Sequence, residues 1–151
     1  MDISSISAVL TAIGVLTGVT FGIIQLRNLA RTRYMDLLLR FYEAWYTKDF
    51  QAEYRRIFTA QFKDYDDYMK RYGWGEGFAV TGWFELLGIM LRKKYVDLDF
   101  VYDFLRHSIK LIWEKMQPVF EGYRKVIDDP TYYEHFEYLY NEIKQREKMS
   151  S

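Results

Sequence analysis

Residues 3–26 read ISSISAVLTAIGVLTGVTFGIIQL, twenty-four positions without one charged side chain. As a helix this stretch extends about 36 Å, enough to cross a hydrocarbon core of about 30 Å. A signal peptide needs a basic leader and a short apolar core. Here only Asp2 precedes the apolar run, and the run is too long for that role. Arg27, Arg31 and Arg33 follow it directly. Arginines flanking a span stay on the cytoplasmic side, which places the N-terminus outside and the C-terminus inside. The expected location is the cell (inner or plasma) membrane, crossed once. The competing reading, a buried helix of a soluble protein, requires charge-free sequence over a length that such helices rarely need.

Composition limits the rest. The chain has 151 residues, 21 basic and 21 acidic, so its formal net charge is zero. Nucleic-acid binding needs a basic field that is missing here. Cysteine is absent and histidine occurs twice, which removes disulfides, thiol nucleophiles and multi-histidine metal centres from consideration. Aromatic residues make up 19% of the chain and proline occurs twice, a composition that folds.

The apolar segment is not uniform around its axis. Gly14, Gly18 and Gly22 recur every four residues, the spacing that lets helices approach closely in lipid. They belong to a longer series of Ser4, Ser7, Thr11, Gly14, Gly18, Phe21, Gln25, Asn28 and Thr32, stepping mostly by four and three. That is the seam of a left-handed bundle. On a helical wheel Ser4, Ser7, Thr11, Gly14, Gly18, Gly22 and Gln25 fall within about 40° of their mean direction. Val9, Ile13, Leu16, Ile23 and Ile24 occupy the opposite side and suit lipid. A polar face in a span turns toward a protein interior or a water-filled cavity, and one helix has neither, so self-association or a partner helix is expected. In one reading the seam is a tight contact whose hydroxyls bond each other or their own backbone. In the other, several copies surround a narrow pore. Ser4, Ser7, Thr11 and Gln25 would wet it, Gly14, Gly18 and Gly22 would line it or form the contact between copies, and Phe21 would form a constriction that gates by dewetting.

Downstream of the span the apolar period continues through Leu26, Ala30, Tyr34, Leu37, Phe41 and Trp45, so the first helix is expected to run on to about Tyr46. Residues 1–26 are read as the transmembrane helix and 27–151 as a cytoplasmic all-helical domain. That domain is long enough to bury its own core and holds 28 of the 29 aromatic residues. Asp49 is expected to cap a second helix. A short third helix is expected from Asp64 to Tyr72, stopped by Gly73. A fourth, core helix starts at Phe78 and closes on the basic run Arg92-Lys93-Lys94. Asp97 should cap a fifth helix that Pro118 kinks or ends, with a continuation through Ile127. Asp129-Pro130 reads as the N-cap and first residue of the last helix, which presents Tyr133, Phe136, Tyr140 and Ile143. No segment carries strand periodicity.

Chemical motifs are sparse. Gly73-Trp74-Gly75-Glu76-Gly77 lacks the preceding strand and spacing of a dinucleotide loop and the Lys-Ser/Thr ending of a Walker loop, so it reads as a turn. Asp99, Asp103 and His107 share one helix face suited to a metal site, to which Glu134 and His135 could add ligands; a solvated charged stripe is the simpler reading. An EF-hand loop starting at Asp64 fails, because Met69 and Gly75 stand where glycine and glutamate are required. Glu85 and Glu114 interrupt apolar helix faces, and Arg or Lys side chains of neighbouring helices, such as Arg124, are their expected partners. No nucleophile or base accompanies them, so no enzyme activity and no cofactor are expected. Between Arg27 and Ala60 there are 7 basic and 4 acidic residues, a mild excess suited to anionic headgroups.

Several short motifs resemble a family of bacterial and archaeal proteins known only as a domain of unknown function. They are Gln25-Leu26-Arg27 with Arg31, Arg33 and Trp45, then Trp83-Phe84-Glu85-Leu86-Leu87-Gly88, Asp97, Trp113-Glu114, Tyr123-Arg124 and Phe136-Glu137-Tyr138-Leu139. The resemblance implies one N-terminal membrane helix followed by a helical cytoplasmic domain, and it makes Glu85, Glu114 and Arg124 internal polar contacts. It implies no activity. The expected function is a homo-oligomeric membrane protein of channel type, with the lipid bilayer and its own copies as partners. The alternative is a membrane-anchored adaptor whose domain binds a cytoplasmic protein.

Overall fold

The computed structural model describes residues 2–73, 75 and 77–150. Among these residues six helices follow in order: α1 (Ile3–Trp45), α2 (Lys48–Thr59), α3 (Tyr65–Tyr72), α4 (Phe78–Arg92), α5 (Leu98–Ile127) and α6 (Glu134–Ser150). Among the described residues there is no strand. A long apolar N-terminal helix thus leads into a helical bundle. The chain divides into two compact units, residues 1–42 and 43–151.

The first unit is α1 alone over most of its length. The helix has 43 residues, about 65 Å at 1.5 Å per residue. It contains a segment long and apolar enough to cross a membrane, and none of that segment is buried within the chain. Val9, Leu10, Val15, Leu16 and Val19 are all more than half exposed. Side chains of this kind need an apolar surrounding that the chain itself does not supply.

In the second unit α4 carries the centre of the core. Val80, Phe84, Leu87 and Leu91 are buried on it, and α5 contributes Val101, Leu105, Ile109, Ile112, Trp113, Met116, Val119 and Phe120. These positions repeat every three or four residues, which places them on one face of each helix. α6 packs on α4 and α5, α2 packs on the same pair, and α3 packs on α5. The faces that meet are rich in rings: Phe84 stacks on Phe136 at 4.9 Å, and Phe120 on Tyr133 at 4.4 Å. Gly77 takes φ 86° as the residue before α4. A side chain there would also press on Ile57, 3.0 Å from where its Cβ would lie, so glycine meets both demands.

Several expected boundaries hold. Asp64 accepts from the Asp67 amide as the N-cap of α3, Gly73 ends that helix, and Asp97 caps α5 through the Asp99 amide. Others are corrected. Thr47, not Asp49, caps α2: its hydroxyl accepts from the Phe50 amide, and Asp49 lies inside the first turn. Pro118 does not end α5, which runs unbroken to Ile127. The proline lies on an exposed side with Gln117 and Glu114, where water can take the place of the missing amide donor. Buried Val119 and Phe120 anchor the turn after it.

Asp129-Pro130 does not open α6, which begins at Glu134. Asp129 instead accepts from the Thr131 amide at 2.8 Å and its hydroxyl at 2.6 Å, closing a local turn. Tyr133 then sits at φ 58°, a left-handed conformation through which no helix passes. Its ring on Phe120 and its hydroxyl 3.0 Å from that of Thr81 hold it there.

Candidate functional site

On α1, Ser7, Thr11, Gly14, Gly18, Phe21 and Gln25 are exposed and Gly22 is half-exposed. Helical geometry sets Ser7, Thr11, the three glycines and Gln25 along one side, with Phe21 at its margin. A Cβ added at Gly14, Gly18 or Gly22 would meet nothing within 4 Å. Packing within the chain therefore gives no reason for glycine at these positions, although each costs about 1 kcal/mol relative to alanine in a helix. Threonine hydroxyls on α1 turn back onto the helix. Thr11 donates to the Ser7 carbonyl at 2.9 Å, Thr17 to Ile13 and Thr20 to Leu16 at 2.8 Å, and Thr32 to Asn28 at 3.0 Å. Thr17 and Thr20 lie on the lipid-suited side, and these bonds leave no stray donor facing an apolar medium. Arg27, Arg31 and Arg33 are exposed just beyond.

The domain carries a second constellation, at the start of α6. Glu85 reaches across from α4: Oε2 accepts from the Phe136 amide at 2.7 Å and Oε1 from the His135 amide at 3.3 Å. These are the amides that an N-cap side chain would ordinarily bind. Tyr133, in the capping position, has no short polar side chain, so the carboxylate of another helix does the capping. Its negative charge also suits the positive end of α6. Gly88, one turn along, lies directly under the His135 carbonyl, where a Cβ would collide with the backbone. Trp113 meets Phe136 at 5.2 Å and stacks on Tyr140 at 5.8 Å.

The expected pairing of Glu85 and Glu114 with Arg124 is not what forms. Glu114 is exposed and accepts from the Tyr140 hydroxyl at 3.0 Å. Arg124 donates from Nε to the Tyr132 carbonyl at 2.8 Å and sets Nη2 2.8 Å from Glu137, an ion pair without hydrogen-bond alignment. Sequence reasoning missed this because a carboxylate on an apolar face can be satisfied by backbone amides as well as by a cation, and only the path of the chain decides which.

Other acidic groups are also engaged. Asp99 pairs with Arg146, while Asp103 and His107 are exposed. Among the described residues no three His, Cys, Asp or Glu side chains are placed to share a metal ion. Lys110 is held by Glu147 at 2.8 Å, which raises its pKa above the usual lysine range. Burial pushes the Tyr132 hydroxyl well above the ordinary tyrosine value and raises that of Tyr133, so both stay protonated at neutral pH. An open cleft of about 420 Å³ is lined by Glu121, Arg124, Lys125, Asp128, Asp129 and Pro130. Arg124 and Asp129 are committed to the internal bonds above. Gly73, Gly75 and Gly77 all have positive φ, as a turn requires, and Trp74 and Glu76 lie outside the described residues.

Residues 12–143 match the family described as Domain of unknown function (DUF4760). The chain belongs to this family. No curated protein and no solved structure matches it. The family match begins inside the apolar part of α1 and takes in Gly14, Gly18, Phe21, Gly22 and Gln25. It ends at Ile143, past the residues that seat α6. Some of the short motifs that suggested an uncharacterised family from sequence meet at this seat: Phe84, Glu85 and Gly88 from α4, Trp113, Glu114 and Arg124 from α5, and Phe136, Glu137 and Leu139 from α6; Gln25-Leu26-Arg27, Arg31, Arg33, Trp45 and Asp97 lie elsewhere. The geometry of the seat is that of a structural joint.

Proposed function

We propose that this protein is a homo-oligomeric, single-pass protein of the cell membrane, with its N-terminus outside and residues 27–151 in the cytoplasm. Copies associate through the face of Ser7, Thr11, Gly14, Gly18, Gly22 and Gln25 and enclose a narrow pore that Phe21 constricts. The cytoplasmic domain assembles or gates the pore and carries out no chemistry of its own. The observation that carries this reading is the open space beside Gly14, Gly18 and Gly22, which leaves three glycines in one row without a use inside the chain. A neighbouring helix gives them one, because small residues let backbones approach in lipid. The in-helix bonds of Thr11, Thr17 and Thr20 support a lipid setting. Arg27, Arg31 and Arg33 support the orientation.

The test is ion flux through vesicles containing the full chain. Phe21→Ser wets the constriction and raises conductance. Equal flux in wild type and variant, at the level of empty vesicles, refutes the pore. A second reading, a membrane-anchored adaptor, draws support from Phe58, Leu86 and Tyr95, which are 53%, 49% and 63% exposed on the domain. In that reading Phe21→Ser changes nothing beyond the strength of association.

A further inference from the structure

The seam of α1 does not stop where the apolar segment ends. From Asn28 and Thr32 the same alternation of three and four residues reaches Met35, Leu39 and Tyr42. These side chains are 48%, 56% and 50% exposed. At 100° per residue they continue the direction of Asn28 and Thr32, so an apolar strip follows the polar one along the same line of α1.

We infer that this strip docks the same strip of neighbouring copies of the chain, in parallel, as a left-handed coiled coil continuous with the membrane contact. The seam from Ser4 to Tyr42 keeps a strict spacing of 3.5 residues, which on a 3.6-residue helix imposes that supercoil. Written as heptads, Thr32 and Leu39 take position a, and Asn28, Met35 and Tyr42 take position d. Arg31 then falls at g and Asp36 at e of the next heptad. Five residues apart, they meet across a parallel pair, Arg31 of each copy beside Asp36 of the other. An antiparallel pair would set g against g and e against e, like charge on like. Asp36 already accepts from Arg40 on its own helix at 3.2 Å through Oδ2, and a carboxylate has acceptor sites for a second guanidinium. Copies that share one membrane orientation are parallel by necessity. The inference rests on the self-association part of the proposed function and is independent of conduction.

The chain has no cysteine, so single replacements report cleanly. Met35→Cys, Leu39→Cys, the outward controls Arg33→Cys and Arg40→Cys, and the membrane position Phe21→Cys are each oxidised in vesicles as the full chain. Met35→Cys and Leu39→Cys are expected to give disulfide-linked dimers at least fivefold faster than the two controls. In the Leu39→Cys background, Arg31→Asp lowers the yield about fivefold, the scale of a pair of exposed ion pairs, and adding Asp36→Lys restores it. Equal rates at seam and control positions overturn the inference. Cross-linking at Phe21→Cys without Leu39→Cys also overturns it, while leaving the membrane contact standing. The reverse pattern overturns it as well, because the inferred coil continues the membrane contact.

Discussion

Gly88→Ala probes the seat of α6 with one methyl group. The new Cβ would stand 2.5 Å from the His135 carbonyl carbon and closer still to its oxygen. Carbon atoms rest about 3.5 Å apart, so α6 has to retreat by about 1 Å. The bond from the Phe136 amide to Glu85, 2.7 Å in the native fold, then stretches to about 3.7 Å, beyond hydrogen-bonding range. A lost bond to a charged acceptor costs about 1.5–3 kcal/mol. Overpacking at the Phe84–Phe136 stack adds about 1–3 kcal/mol. The better helix propensity of alanine offsets about 1 kcal/mol. The net expectation is a loss of about 1.5–5 kcal/mol. Gly82 supplies the control on the same helix. A Cβ there has only the Tyr133 hydroxyl near it, at 3.9 Å, so Gly82→Ala should be neutral or stabilise by up to about 1 kcal/mol. Urea unfolding of the full chain in nanodiscs, followed by tryptophan fluorescence, compares the two. Equal stability of the two alanine variants would refute this placement of α6.

Glu85→Gln keeps the shape and removes the charge, and should destabilise the domain by about 1–2 kcal/mol; amide exchange should accelerate first at His135 and Phe136, which hydrogen–deuterium exchange resolves. The Thr131 hydroxyl and amide hold the Asp129 carboxyl below its ordinary value of 3.8. A depressed folded pKa contributes stability that is complete above the unfolded value and disappears as pH falls through the folded one. Asp129→Asn should therefore flatten the acid limb of unfolding-midpoint against pH below about 4, and an unchanged limb counts against the turn.

The helices were legible where the signal is local. Asp64 and Gly73 bracket α3, and Asp97 opens α5, because a short polar cap or a glycine stop acts within one turn. Thr47 and Asp49 are both capping residues, and nothing in the sequence ranks them when they stand two apart. The start of α6 was hidden for a different reason. Asp129-Pro130 has good local credentials, but Tyr133 stacks on Phe120 in a left-handed conformation through which no helix passes, and those partners are 13 residues apart in sequence. Glu85 was visible as a misfit on an apolar face, yet its partners are the amides of His135 and Phe136, which carry no side-chain signature at all. The seam of α1 is the converse case. It was readable to Thr32 as a row of small and polar residues, but its continuation through Met35 and Leu39 reads in sequence as ordinary core, and only their exposure sets it apart.

Self-association through the glycine face is tested most directly by native mass spectrometry of the complex in nanodiscs, for wild type and Gly18→Leu. Inside the chain a leucine at this position has open space, so the domain should fold in both. The expected result is a closed assembly of four or more copies for wild type, lost in Gly18→Leu. A wild-type monomer or dimer contradicts the pore, because two helices enclose no lumen, and an assembly that survives Gly18→Leu contradicts the glycine contact.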